Sequence, residues 1–457
     1  MAMENNKASL SGSLKSSLIV AFISGLAGLV MLLQDVVIAA HFATGEIADA
    51  FQFAISFPML AINVFAGGTL LAVLVPQLIQ LNVATREAEA VALIKWVKKW
   101  LGWFLLAVCG IWAVAYPHIV AQVAKGFSDE ALTLSTHLLW IAMPVLFFAG
   151  LASIDTAVLN SRRHFVFIST LPAFMPAAVI LCVFMLDARL GIYSGAIGLL
   201  FGSIIQWIAN RRHAIPLLNH NQQPCTLTSA FLSRLVKDYS AAAASSALLA
   251  GIYFTDILIA SSLQAGSTAT YGYAVRPVIL LLSFVTVVVG NVALPLFSHL
   301  VAIEDWAALK KHVLFWFGLL ALGSLPVVAL WYVWDKSIVE LLYQRGAFNS
   351  TNTASVVAVQ QIYIVQIPFF LIAVIGWRVM NSLNKNLALL SITAICFIVN
   401  LVASLLFSTR IGLQGIAWGT NLAFIVWAIF ITLYLLNIHG KSTTIVEPGS
   451  KSPTLEH

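Results

Sequence analysis

The chain has 457 residues, 60% of them hydrophobic and 9% charged, with a net charge of +6; soluble domains carry about 25% charged residues, so this chain cannot cover a water-facing surface. The positive balance would suit a nucleic-acid binder only as a continuous patch. Here the basic residues lie in short segments between apolar runs, where they set membrane topology. A soluble enzyme and a nucleic-acid protein are both excluded, and the bilayer is the solvent.

Met1 to Leu14 is polar, with Lys7 as its one charge after Glu4. No small-residue cleavage site follows the first apolar run, so a retained first helix is expected. Apolar stretches able to cross roughly 30 Å of hydrocarbon at 1.5 Å per residue predict spans near 16–42, 48–80, 97–121, 132–160, 165–186 and 190–210. A second set follows near 236–263, 269–301, 309–333, 352–383, 387–408 and 412–437. The expected fold is an all-α polytopic membrane protein of about twelve transmembrane helices. The polar interval from Arg211 to Lys237, containing His213, His220 and Pro224, separates an N-terminal lobe, 1–222, from a C-terminal lobe, 223–440. The tail 441–457 ends in Leu455-Glu456-His457, which reads as a tag remnant.

With both termini in the cytoplasm, one side collects eighteen of the 24 Lys and Arg residues, among them Arg86, Lys95, Lys98, Lys99, Arg162, Arg163, Arg211, Arg212, Arg234 and Lys237. The other side receives five: Lys125, Arg189, Lys336, Arg345 and Arg410. This positive-inside bias supports an even number of spans and places a multi-pass protein in a bacterial inner membrane.

Shifting the second half over the first by about 220 residues sets Asp35 on Asp256 and Gly45 on Gly266. It also aligns Pro58 with Pro277, Pro76 with Pro295, Phe127 with Phe348, Gly191 with Gly412 and Gly198 with Gly419. Six spans per unit give both halves the same orientation, so the expected arrangement is two parallel six-helix lobes around a central cavity that opens by rocking.

Charges within spans normally face protein or water, because at the helix centre each costs at least about 2.5–3.5 kcal/mol. Four stand out: Asp35, which follows Gln34, and Asp155, Asp256 and Arg276. One reading is a polar cavity in which Arg276 attracts a phosphate or pyrophosphate while the aspartates tune it or bind a coupling cation. The other is a structural Arg276–Asp256 pair pinning spans seven and eight. Pro58 and Pro277 each remove a helix hydrogen bond, and Gly67-Gly68 weakens span two again, so these positions are candidate hinges. Trp96, Trp100 and Trp103 are expected as interfacial anchors.

There is no Ser/His/Asp set, HExxH, phosphate-binding glycine loop or cluster of metal ligands. The four cysteines lie far apart and lack the spacing of a metal or redox pair. Transport, rather than catalysis, is the expectation, with no cofactor or metal beyond a coupling cation or the membrane potential.

Gln34-Asp35-Val-Val-Ile-Ala-Ala-His-Phe, Ile47-Ala-Asp49-Ala-Phe51, Phe57-Pro58, Phe65-Ala-Gly-Gly68 and Val75-Pro76 resemble the opening of the MurJ (MviN) lipid II flippases of the MOP superfamily. So do Tyr273-Ala274-Val-Arg276, Leu294-Pro295 and Leu342-Tyr-Gln-Arg-Gly-Ala-Phe348. The resemblance implies a monomeric flippase whose partners are membrane lipids and a polyprenyl-(pyro)phosphate-linked saccharide. This substrate, lipid II or a polysaccharide repeat unit, would enter between spans one and eight and reach the outer leaflet by alternating access. By the same resemblance Arg276 matches the arginine used for the pyrophosphate, and Asp35 and Asp49 match acidic positions of the family. Where such proteins place further arginines this chain has Gly28, Gln34 and Ile62, which implies a cavity with less positive charge. A cation-coupled MATE-like exporter of small amphiphiles and a non-transporting scaffold for envelope synthesis are the alternative readings.

Overall fold

A computed structural model describes residues 2–84, 86–218, 225, 227–383 and 385–437, with side chains from residue 19 onward except 287–295, 298, 299 and 386. The 222/223 boundary, His220, Pro224 and the tail 441–457 lie outside the described residues, and so does the side chain of Pro295. The described residues form helices and no strand. In hydrocarbon no water satisfies backbone N–H and C=O groups, and a helix pairs them within one segment.

The first lobe begins with α1 (Ala2–Phe42), a broken second span of α2 (Glu46–Phe65) and α3 (Gly67–Val83), and α4 (Glu87–Val123). A broken fourth span follows, α5 (Asp129–Ala142) and α6 (Pro144–Ser161), then α7 (Phe165–Thr170), α8 (Phe174–Leu190) and α9 (Tyr193–Ala214). The second lobe contains α10 (Ser229–Ser261), α11 (Ser267–Ala302), α12 (Trp306–Tyr343), the broken pair α13 (Ser350–Tyr363) and α14 (Ile367–Ser382), α15 (Asn386–Ile411) and α16 (Leu413–Leu436). Because successive spans reverse direction, the connections 43–45, 124–128, 262–266 and 344–349 gather on one face. The basic segments gather on the other, hereafter the basic face.

Among the described residues, eleven segments are long and apolar enough to cross a membrane. The predicted sixth span, α9, is also a 22-residue helix, but it is more polar, because it packs through Ser194, Gly195, Gly198, Gly202 and Ser203 rather than through large side chains. Small residues let membrane helices approach closely, where no hydrophobic force favours protein over lipid. At Gly198 an added Cβ would lie 2.5 Å from Val179 Cα on α8, and at its repeat mate Gly419 it would lie 2.6 Å from the Ser404 backbone nitrogen on α15.

The internal repeat is visible in the backbone. Gly191 (φ 54°, ψ −138°) and Gly412 (φ 61°, ψ −138°) close the same hairpin in each lobe in a left-handed conformation that favours glycine. On the face opposite the basic one, Gly126 N–H donates to Ser261 O (3.1 Å) while Ala347 N–H donates to Ala40 O (2.7 Å). Donors and acceptors each stand 221 positions apart, so these two bonds are pseudo-twofold mates. Both run between lobes.

The break in span two falls at Ala66 (φ −120°, ψ −124°) and Gly67 (φ +30°). Helix α2 continues through Pro58, and α11 continues through Pro277. Of the four hinge candidates, Gly67 lies at the break and Gly68 immediately after it. Tyr239 of α10 donates to the Phe65 carbonyl at 2.5 Å, satisfying a group that the break would leave orphaned.

Gly198→Leu and Gly419→Leu should each cost about 1–3 kcal/mol through overpacking, seen as a lower melting temperature in detergent. Gly318→Ala, with nothing within 4 Å of the added Cβ, should leave it unchanged or slightly higher.

Candidate functional site

Asp35 lies in α1, 4% exposed, and its Oδ2 sits 3.8 Å from Arg276 Nη1 of α11. The pair therefore bridges the lobes, and the expected alternative, Arg276 with Asp256, is not formed. At 3.8 Å the contact is an ion pair without a tight hydrogen bond, and the Arg276 side chain remains 29% exposed. It faces a cavity of about 260 Å³ lined by α1, α11 and Pro172, with Gly28, Leu32, Asp35, Ile279 and Ser283 among its walls. Tyr253 and Tyr343 lie close to the guanidinium.

Among the described residues, Arg276 is the one cation that lines this cavity. Of the positions where the resemblance would place arginines, Gly28 brings α1 against α11, since an added Cβ would meet Leu280 Cδ1 at 2.7 Å. Gln34 is buried and is not among the cavity-lining residues, and Ile62 is half-buried.

Asp256, the repeat mate of Asp35, is 1% exposed and has a different environment. Its carboxylate accepts from Tyr271 Oη at 2.7 Å and Thr420 Oγ1 at 2.8 Å, as well as Asn400 Nδ2 at 3.1 Å and Ser404 Oγ at 3.3 Å. All four donors are neutral. A buried carboxylate is tolerated when its lone pairs are filled, and this cluster joins α10, α11, α15 and α16 within one lobe. Its oxygen-rich set, with the Ile416 carbonyl accepting from Ser404 at 3.4 Å, matches the donor type preferred by hard cations. Sequence reasoning missed Tyr271, Asn400, Ser404 and Thr420. The available signal was Asn400 and Ser404, four residues apart on one face of an apolar helix.

Asp49 is not in the cavity. It is 1% exposed, and its carboxylate accepts from the backbone N–H groups of Gly266 (2.6 Å) and Ala269 (2.7 Å). A first-lobe side chain thus caps the start of the second lobe's α11, where the free N–H groups and the helix dipole favour negative charge. Asn352 also bonds Thr44 across this face. Together with the twofold-related backbone bonds, these contacts hold the lobes shut opposite the basic face.

Asp155 pairs with Lys98 of α4 at 2.5 Å inside the first lobe. Of the three tryptophans expected as anchors, Trp100 and Trp103 are 56% and 66% exposed, whereas Trp96 is half-buried against the core.

Two lobes that are joined at one end, with an ionic contact across a cavity between them, define a membrane transporter of the alternating-access class. This chain belongs to the MurJ family: the family model described as lipid II flippase MurJ matches residues 38–446. Among similar proteins, the probable lipid II flippase MurJ of Rhizobium tropici is 27% identical over 418 residues, 88% of this chain and 77% of the relative. That of Synechocystis sp. is 25% identical over 456 residues, 94% of this chain and 83% of the relative. A solved structure of lipid II flippase MurJ in an inward closed conformation shares the fold at a TM-score of 0.78 with 21% identity, over 92% of this chain and 87% of that one. An inward-facing multidrug-resistance MATE transporter of the MOP superfamily shares it at 0.65 with 12% identity, over 91% of this chain and 92% of that one.

Asp49→Ala should remove two charge-assisted bonds worth about 1.5–3 kcal/mol each relative to unpaired groups. Together that is roughly a hundred-fold or larger shift from closed to open lobes. Spin labels at Glu130 and Gln264, both exposed on that face, should report a longer distance population; an unchanged distribution would exclude the latch.

Proposed function

We propose that this protein carries lipid II from the cytoplasmic to the outer leaflet of the bacterial inner membrane, working as a monomer with both termini cytoplasmic. The observation that carries the proposal is Arg276, the one cation of the cavity wall among the described residues, held loosely by Asp35 of the other lobe. A pyrophosphate is a better partner for a guanidinium than a single carboxylate at 3.8 Å, because it can accept several charge-assisted hydrogen bonds in fork geometry. Its arrival displaces Asp35 and removes a contact between α1 and α11, so binding loosens the lobe seam at the level of the cavity. Family membership favours this reading over an amphiphile exporter or a scaffold.

The Asp256 cluster supports a second part of the proposal, the entry of a coupling cation or proton. Rotating the Thr420 and Ser404 hydroxyls would turn donors into acceptors around a carboxylate already buried. Asn400 would turn its carbonyl oxygen inward, releasing the bond that this oxygen accepts from Thr255 at 3.1 Å.

In liposomes with fluorescent lipid II, Arg276→Ala should lower translocation at least about ten-fold, and Arg276→Lys should restore part of it by keeping charge without the fork. Full activity in Arg276→Ala would sink the proposal. Asp256→Asn, which keeps shape but not charge, should spare passive equilibration and abolish the response to an imposed sodium or proton gradient. An unaltered gradient response would remove the cluster from the coupling step.

A further inference from the structure

Three residues before Asp256 on α10, and so on the same face of that helix, stands Tyr253, half-buried. Its ring stacks on that of Tyr271 of α11, with centroids 6.3 Å apart and planes at 30°. The Tyr271 side chain is fully buried, and its hydroxyl donates to Asp256 Oδ2 at 2.7 Å. At the other end of the pair the Tyr253 hydroxyl lies against the Arg276 guanidinium, within reach of the charges of Asp35 and Asp256. A tyrosine joins an apolar body to a polar tip. Here two packed rings span the interval between the cross-lobe ion pair and the carboxylate cluster, each with its tip on a different site.

A carboxylate that takes a cation or a proton on Oδ2 gives up the hydrogen bond it accepted there, and a hydroxyl proton aimed at the new charge is repelled. Each donor of the cluster must then turn away. Thr420 and Ser404 have a second acceptor at hand in the Ile416 carbonyl, at 3.2 Å and 3.4 Å, and Asn400 can turn its amide. The Tyr271 hydroxyl donates to no carbonyl among the described residues, so its ring is the part that shifts. Tyr363 of α13 packs edge-on against that ring, centroids 6.1 Å apart at 87°, and a close-packed interior transmits displacement instead of absorbing it. Tyr253, half-buried, is the neighbour with room to yield. Its hydroxyl stands beside the guanidinium, placed to donate to the same anion that Arg276 holds, and it leaves when Tyr271 moves. Neutralising Asp256 acts in the opposite sense, since it removes a repulsion on that anion, but across two rings this field is attenuated by distance. The lost donor is the nearer and larger effect.

We infer that Tyr253 is a further contact for the pyrophosphate and that Tyr271 positions it, so that an ion at the Asp256 cluster and the lipid head group at Arg276 weaken each other's binding. Linkage makes the antagonism mutual and equal in size. Such exclusion is what an exchange cycle requires, with an ion moving one way and a lipid the other. The inference rests on the reading of Asp256 as a site for a cation or proton, and it is independent of which saccharide is carried.

The test is the affinity of the full chain in detergent for geranylgeranyl pyrophosphate, measured in sodium chloride, in choline chloride of equal ionic strength, and in choline chloride at lower pH. In wild type, sodium or acid should weaken binding at least about five-fold, and Asp256→Asn should lose the effect. Tyr253→Phe, which keeps the ring and drops the hydroxyl, should bind the pyrophosphate more weakly in choline and lose the response to the ion. Tyr271→Phe should also lose that response while binding sodium more tightly, since the cation no longer displaces a donor; a residue needed only for packing would move neither quantity in this pattern. Tighter pyrophosphate binding with the ion in wild type overturns the inference and assigns the effect to the field of Asp256 alone. A response lost in Asp256→Asn but kept in both tyrosine variants overturns it too, and leaves Asp256 as the ion site. Absence of any Asp256-dependent binding of sodium or protons removes the underlying reading, and the inference with it.

Discussion

In hydrocarbon, every polar group that is not paired inside the protein costs several kcal/mol, and the arrangement of this molecule follows from how that demand is met. Backbone groups are paired within helices, and those released at breaks find partners on neighbouring helices, as the Phe65 carbonyl finds Tyr239. Three carboxylates within spans find three kinds of partner: a lysine for Asp155, backbone N–H groups for Asp49 and four neutral donors for Asp256. Asp35, unlike these three, has a long contact to a partly exposed cation. Its pairing is the weakest of the set, and it is the one that faces a cavity.

Strong and weak contacts divide the work of an alternating-access cycle. The face opposite the basic one is closed by short bonds repeated about the pseudo-twofold axis, so opening it requires several to break together. The contact in the cavity is one that an anionic ligand can replace without leaving a buried charge unpaired. A ligand moves an equilibrium only through differential affinity for the two states, and replacing a cross-lobe ion pair with a ligand contact supplies such a difference at the seam.

Duplication explains why two aspartates occupy equivalent places, and divergence explains why they do different things. Asp35 reaches across to the partner lobe, while Asp256 has no such partner, since the position in the first half equivalent to Arg276 is Phe57. Asp256 faces inward because Asn400, Ser404 and Thr420 surround it. The symmetry of the backbone thus carries an asymmetric distribution of charge, with the cation on one seam and none at the equivalent position of the other.

The order of the spans, the lobe repeat and the need to find Arg276 a partner were legible in the amino-acid sequence, because apolar run length, residue register and the cost of intramembrane charge are all local or periodic quantities. Even α9, whose polarity blurs its span, was recoverable from its position between Gly191 and Arg211. Partner choice was not legible. The distance from Arg276 to Asp256 is 20 positions along the chain and to Asp35 is 241, yet the pair forms with the latter, since only the packing of α1 on α11 brings those side chains together. The same holds for Asp49, whose backbone partners carry no residue-type signal; the break at Gly67, by contrast, falls at one of the glycines that the sequence marks as a candidate hinge, whereas the helices run on through Pro58 and Pro277. One dimension determined which groups must be paired; the tertiary structure decided with what, because pairing in a membrane is set by which helix faces meet.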